Sequence, residues 1–165
     1  MVASPAHPSA RPGISAGGLA ALFVFAGAMG WLEAVVVVYI RALLGIAHGA
    51  LPPSPEILYE RLRSLPWLLP CEQTREAMTI VMLAGVAWLA GRSTQGRWGA
   101  FLVAFGVWDI MYYVGLYALL RWPPSLTTPD LLFLIPPGPW WYQPVWVPIA
   151  ISCGMIVLGL RMARR

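Results

Sequence analysis

Residues 98–120, WGAFLVAFGVWDIMYYVGLYALL, decide the fold. A helix that crosses the hydrocarbon of a bilayer needs about 20 mainly apolar residues, and this stretch meets that requirement with a single formal charge, Asp109. A charge at the middle of such a helix costs about 2.5–3.5 kcal/mol on insertion scales, and charges there are usually kept for pairing or for function. The stretch therefore predicts a transmembrane helix that carries an unusual carboxylate.

Three further segments resemble it in length and hydropathy, and the composition of the whole chain agrees. Hydrophobic residues make up 59% of the 165 residues and charged residues 11%, whereas a typical soluble domain has about 25% charged residues. So few charged side chains do not suit a water-soluble globule of this size. We predict an all-α integral membrane bundle, a single transmembrane domain over residues 17–165, with four spans at 17–46, 72–91, 98–120 and 144–160.

Two segments outside the spans have a clear character. Residues 1–16 are rich in Pro, Ser and Ala, and they predict a disordered N-terminal tail. From Pro55 the run PEILYERLRSLPWLL predicts a short amphipathic helix, entered through a proline at its first turn. Such a helix is expected to lie at the membrane surface.

The loop between spans three and four, residues 121–143, is rich in proline and yet apolar. Because backbone at membrane depth must pack on protein or face water, we expect this loop to fold onto the outer end of the bundle as a cap. Thr128, Pro129 and Asp130 resemble a helix start, with a hydroxyl cap, a proline and an early carboxylate. They predict a short helical turn over Leu131 to Ile135.

Arginine sets the expected orientation, since the chain has a net charge of +4 and contains no lysine. With four spans, both termini and the loop between spans two and three share one side and hold most of the arginines outside the spans. Cytoplasmic loops carry the excess of positive charge, so we expect a multi-pass protein of the bacterial cytoplasmic (inner) membrane with both termini cytoplasmic. The lipid bilayer is the expected partner, and nucleic acid is not, because the arginines form no basic stripe.

Polar side chains from three predicted spans converge at a similar depth in the outer half of the bundle. The first span supplies an acid and an arginine, the second a run of charges spaced three and four residues apart on one face, and the third an acid below two tyrosines. The predicted ligand-binding residues are Glu33, Arg41, Arg75, Glu76, Asp109, Tyr112 and Tyr113.

Three interpretations of this cluster are open. Glu33 and Asp109 can form ion pairs with Arg41 and Arg75 that fix helix register. The cluster can instead bind a ligand, an ion or a proton, as intramembrane charges often do. It can also contact a partner subunit, either a second copy in a homo-oligomer or a member of a larger membrane complex.

Several other chemistries lack the residues that they require. His7 lies in the tail and His48 at a loop edge, so a haem would find no inward histidine, and the chain has no Glu-x-x-His pair for a di-metal site. It also has no Gly-x-Ser-x-Gly, phosphate loop, His-Glu-x-x-His or Cys-x-x-Cys motif. We therefore expect no cofactor and no metal, and enzymatic activity is the least supported reading.

Three stretches carry a resemblance to a known family: EQTREAMTIVMLAGVAWLAG (72–91), FGVWDIMYYVGLYALLRWPPSL (105–126) and LLFLIPPGPWW (131–141). Residues 72–148 resemble a family of uncharacterised bacterial multi-spanning membrane proteins with Arg-Glu-Ala, Trp-Asp-x-x-Tyr-Tyr, Trp-Pro-x-Ser-Leu and Leu-Phe-Leu-Ile-Pro motifs. The Pro-Gly-Pro at 137–139 departs from that pattern. The resemblance implies no activity, but it makes six residues the first to test: Arg75, Glu76, Trp108, Asp109, Tyr112 and Tyr113.

Three functional hypotheses follow from these patterns. The first is a membrane protein that binds a small ligand, a lipid or a cation at the outer-half cluster. The second is an accessory subunit of a larger membrane complex, which should show a wide apolar face and no cavity. The third is a membrane enzyme acting on a lipid-borne substrate, with Glu33 or Asp109 as general base.

Overall fold

The computed structural model describes residues 13–48, 50–51, 54–136 and 138–164, which are mostly helical. The helices are α1 (Ala16–Leu43), α2 (Pro55–Ser64), α3 (Leu68–Ala90), α4 (Thr94–Leu120) and α5 (Trp146–Ala163). Between α4 and α5 lie two short strands, β1 (Pro129–Leu131) and β2 (Tyr142–Pro144), and a 3-10 turn at Pro139–Trp141. The all-α prediction is confirmed, and each predicted span coincides with a helix whose ends differ by a few residues.

Three helices, α1, α4 and α5, are long and apolar enough to cross a membrane, which is compatible with a membrane location. The remaining long helix, α3, has 23 residues, enough for the same distance. It is less apolar because Glu72, Arg75 and Glu76 lie in its first half.

One end of the bundle collects three parts of the chain. Ser15 caps α1 by accepting a hydrogen bond from the Gly18 N–H at 3.0 Å. Just before it, the Gly13 carbonyl accepts from the Arg92 N–H at 2.8 Å, and the Ile14 N–H donates to the Ala163 carbonyl at 3.3 Å. The start of α1, the α3–α4 turn and the end of α5 therefore meet, so α1 and α4 run one way and α3 and α5 run back.

The predicted tail, residues 1–16, falls partly outside the described residues, which begin at 13. Within the described part, Ile14 is buried and α1 already begins at Ala16. The last residues of the predicted tail are thus part of the packed end of the bundle.

The helical turn predicted over Leu131 to Ile135 is wrong. Residues 129–131 instead form β1, which pairs antiparallel with β2 so that Asp130 lies opposite Gln143. Two local causes favour the extended backbone. The Asp130 side chain accepts a hydrogen bond from the neighbouring Leu131 N–H at 2.9 Å, and Ile135 precedes Pro136, where the helical region is disfavoured.

Helix α4 lies at the centre, where it packs against α1, α3 and α5. Glycines allow the closest approaches. A Cβ atom at Gly30 of α1 would collide with the Trp108 carbonyl oxygen and lie 2.8 Å from the Cβ of Met111. On the opposite side, a Cβ atom at Gly159 of α5 would lie 2.6 Å from the Gly99 carbonyl oxygen. Small residues at such contacts are typical of helices packed within a bilayer.

The outward faces of the helices are apolar as well. Large hydrophobic side chains on α1, α3 and α5 are exposed, among them Val24, Met78, Val81, Trp88, Leu89, Ile151 and Leu158. Leu89 reaches 85% exposure. A helical bundle that is apolar both inside and outside suits a lipid environment.

The short helix predicted from Pro55 is present as α2. Its Leu62 is buried in a cluster with Leu44, Ile46 and Leu68, and Leu58 packs against the same cluster. The Arg61 guanidinium donates to the Leu44 carbonyl at 2.9 Å, at the end of α1. Helix α2 is thereby held across the far end of the bundle, beside the site described next.

The contact at Gly30 yields a first prediction. Gly30→Ala should lower the free energy of unfolding by about 1–3 kcal/mol, because the added methyl collides with backbone that cannot move aside cheaply. Gly154→Ala is the matched control, since a Cβ atom there meets nothing within 4 Å. Thermal unfolding of the detergent-purified protein measures both variants, and equal stability of the two would contradict the close α1–α4 packing.

Candidate functional site

A cavity of about 170 Å³ lies between α1, α3, α4 and the segment that follows α4. All the residues predicted as ligand-binding line it: Glu33, Arg41, Arg75, Glu76, Asp109, Tyr112 and Tyr113. Two further acids, Glu72 and Asp130, line it too, so five of the seven acidic residues of the chain surround one cavity. We call it the acidic cavity.

Arg75 joins two of these acids. One of its terminal nitrogens pairs with Glu33 Oε1 of α1, and its Nε donates to Glu72 Oε2, one turn earlier on α3, at 2.7 Å. The side chains of Glu33 and Glu72 are only 13% and 9% exposed. Arg75 thus neutralises part of the acidic wall and ties α1 to α3.

Asp109 has a different partner. Its Oδ2 accepts a hydrogen bond from the Ser152 hydroxyl of α5 at 2.8 Å. Glu33 thus has an arginine partner, whereas the expected pairing of Asp109 with an arginine is wrong for the residues that the structure describes. The physical reason is that Arg75 is already shared by two glutamates. The sequence offered little signal for Ser152, a small polar residue in an apolar helix.

Arg41 lies in the last turn of α1 and is 7% exposed. Its guanidinium donates to the Ala50 carbonyl and sits over the ring of Trp122, 5.4 Å from the centroid. These contacts hold Arg41 at the end of α1. Asp109 follows Trp108, whose carbonyl lies against Gly30, about three helical turns before Arg41, so the two side chains do not pair. Arg41 therefore holds the chain that leaves α1 and contributes its charge to the wall of the acidic cavity.

Glu76 is the acid with the least complete set of partners. It is 7% exposed, and its Oε2 accepts a hydrogen bond from the Leu134 N–H at 2.9 Å. Its Oε1 is buried and has no hydrogen-bond partner among the residues that the structure describes. An unsatisfied buried carboxylate oxygen is costly, so it marks a place where a donor or a cation would be favoured.

The segment after β1 lies against α3 and α4. The Gln73 side chain donates to the Leu134 carbonyl at 3.3 Å, and the Tyr113 hydroxyl donates to Asp130 Oδ2 at 2.9 Å. Burial raises the pKa of the Asp130 carboxyl to about 7, and the hydrogen bonds from Tyr113 and Leu131 offset only part of that effect. Asp130 was missed as a site residue, although a lone acid in an apolar loop was a usable signal.

The wall of the acidic cavity is unbalanced in charge. Five carboxyl groups face two guanidiniums, and one of those guanidiniums is shared by two glutamates. Within the described ranges, five buried side-chain atoms lack a hydrogen-bond partner, and four belong to residues that line this cavity: Arg41, Glu76, Trp108 and Trp122. The interior is therefore acidic, and its unpartnered atoms are one acceptor, Glu76 Oε1, and three N–H donors.

Comparisons with protein-family models, curated proteins and solved structures give no match for this chain. The resemblance of residues 72–148 to a bacterial membrane protein family stays a prediction. The function must therefore be argued from the geometry of the acidic cavity.

Arg75 gives a second prediction. Arg75→Gln should lower the free energy of unfolding by about 3 kcal/mol, because it leaves Glu33 and Glu72 without a countercharge. Adding Glu33→Gln to the same chain should restore part of that loss, and thermal unfolding in detergent measures the double-mutant cycle. Arg92→Gln, at an exposed arginine, is the control. Additive effects of the Glu33 and Arg75 substitutions would contradict the ion pair.

Proposed function

We propose that this chain is a multi-pass membrane protein that binds a small cation in the acidic cavity. The observation that carries the proposal is the unpartnered, buried Oε1 of Glu76 in a wall where carboxyl groups outnumber guanidiniums. In a medium of low dielectric, a surplus of negative charge is unfavourable unless protons or a cation offset it. A bound cation removes that penalty and satisfies the free oxygen.

The proposal includes α3 as a fourth span in a bundle whose cavity lies in the outer half. The charges of α3 support this arrangement because Glu72, Arg75 and Glu76 line the cavity, whereas Met78 and Val81 are exposed on the outward face. A helix whose charges face the interior can cross a bilayer at a reduced cost.

The orientation is part of the same proposal. The end of the bundle where α1 begins also holds the α3–α4 turn with Arg92 and Arg97, and the end of α5 with Arg161 and Arg164. Placing this end in the cytoplasm of a bacterium follows the positive-inside rule. The acidic cavity then opens near the outer leaflet.

The loop between α4 and α5 acts in this proposal as the predicted cap. Residues 130–134 line the acidic cavity. The backbone N–H of Leu134 donates to the Glu76 side chain, and the Leu134 carbonyl accepts from the Gln73 side chain, so both bonds join the loop to α3. Breaking these contacts would expose the carboxyl groups to the outer aqueous phase. The cap is therefore the expected route by which a cation enters.

The alternatives receive less support. An accessory subunit is expected to show an apolar face without a cavity, whereas an acidic cavity lies between the helices of this chain. A membrane enzyme would need a nucleophile or a metal, and among the described residues no group of three His, Cys, Asp or Glu side chains is placed to hold a metal ion. Cation binding uses the groups that are present.

The third prediction tests cation binding directly. We expect saturable binding of at least one cation when the detergent-purified protein is titrated with sodium, potassium, methylammonium and butylammonium chloride. Isothermal titration calorimetry measures the binding. Glu76→Gln should weaken that binding about tenfold or more, because it removes the charge beside the free oxygen. Glu60→Gln, an exposed acid that does not line the cavity, is the matched control and should bind normally.

The same titration has a pH dependence. The Asp130 carboxyl, with a pKa of about 7, is roughly one-tenth ionised at pH 6 and nine-tenths at pH 8. The affinity of the protein for the cation should therefore rise by up to about tenfold over that range. Asp130→Asn should flatten this part of the profile. The proposed function fails if none of the four cations binds, or if Glu76→Gln binds them as well as the unmodified protein.

A further inference from the structure

We propose that the cation is an organic ammonium ion with an apolar substituent, whose nitrogen lies by Glu76 and Asp109 and whose substituent points toward α2. This inference rests on the proposed cation site and names the class of its ligand. It is drawn from the part of the cavity wall that carries no charge.

The acidic cavity has a second, aliphatic region. Ile40 and Leu44 at the end of α1, Ile46 just beyond it, and Leu58 and Leu62 of α2 all line the same space as the carboxyl groups. An inorganic ion surrounded by water gains nothing from such a wall. An apolar substituent does, because its removal from water is favourable in proportion to the area buried.

The two regions lie at different heights along α1. Glu33 and Ile40 are seven residues apart in one helix, which separates them by about 10 Å along its axis. A ligand that contacts both must therefore be elongated, with its charge at one end. This is the shape of a primary amine on a short chain.

Aromatic rings also line the cavity, and they favour an organic cation. Trp108, Tyr112, Trp122 and Phe133 are all part of the wall. Faces of such rings attract ammonium groups, most strongly when the site is shielded from water. Trp122 already receives the Arg41 guanidinium at 5.4 Å from its ring centroid, so one ring of the wall is in use as a cation platform.

A dehydrated metal ion is the competing occupant, and the geometry disfavours it. Calcium binds six to eight oxygen ligands in one shell, and magnesium about six. In the described ranges, no three His, Cys, Asp or Glu side chains are grouped closely enough to hold a metal ion. The carboxyl groups are instead spread over α1, α3, α4 and β1, as suits a larger ion.

The fourth prediction uses a series of n-alkylammonium chlorides from methyl to hexyl, titrated into the detergent-purified full chain. Affinity should rise about fourfold per methylene over the first few carbons, because each is transferred from water to the aliphatic region. Glu76→Gln should lower affinity across the series. The same variant serves as the control for partitioning of the longer ions into the detergent. Partitioning is equal for both proteins, so the difference between their titrations reports binding to the site.

Two leucine variants form the matched pair. Leu58 and Leu65 are both half-buried against the same apolar cluster, but only Leu58 lines the cavity. Leu58→Ala should weaken hexylammonium binding about fivefold or more and leave methylammonium unchanged. Leu65→Ala should bind both ions as the unmodified chain does, and thermal unfolding confirms that both variants are folded.

The outcomes separate this inference from the proposed function. If methylammonium, sodium or potassium binds as tightly as butylammonium, or if Leu58→Ala and Leu65→Ala behave alike, the ligand class is wrong while cation binding stands. If no member of the series binds and no inorganic cation binds, both fail. Affinities that Glu76→Gln leaves unchanged across the series would also overturn the inference, because the charge would then play no part.

Discussion

The cost of charge inside an apolar helical bundle constrains the rest of this structure. Five carboxyl groups lie around one cavity, and three kinds of interaction stabilise them. Arg75 pairs with Glu33 and Glu72, Ser152 donates to Asp109, and backbone N–H groups donate to Glu76 and Asp130. The donors come from α3, α5 and the loop after α4, whereas the acids come from α1, α3, α4 and β1, so stabilising the acids also holds the bundle together.

Close packing around α4 makes that arrangement possible. The glycine contacts let α1 and α5 approach α4 closely, which brings Glu33 and Ser152 to the sides of the helix that carries Asp109. Helix α3 packs less extensively, and Arg75 supplies its link to α1. The region is therefore stable at the α1–α4–α5 centre, and the α3 side with its covering loop is the part that can open at the lowest cost.

Much of this could be predicted from sequence because the signals are local. Helix length follows from apolar runs such as 98–120, and charges such as Asp109 in those runs must face inward whatever the detailed packing. Non-local facts escaped prediction. The β1–β2 pairing joins residues more than ten positions apart, and the Ser152 partner depends on the rotation of α5. The aliphatic wall of the cavity arises because α2 folds back across the end of α1, which no pattern within α2 specifies.

Crystals of the detergent-purified protein grown with 6-bromohexylammonium would test the central claim most directly, since the anomalous signal of bromine locates the ligand. The account predicts a bromine peak beside Leu58 and Ile46, with the nitrogen within hydrogen-bonding distance of Glu76 Oε1. A cavity without that peak at saturating concentration would contradict it. So would an equal peak from 6-bromohexanoate, because an anion of similar shape would then be bound by the arginines rather than a cation by the acids.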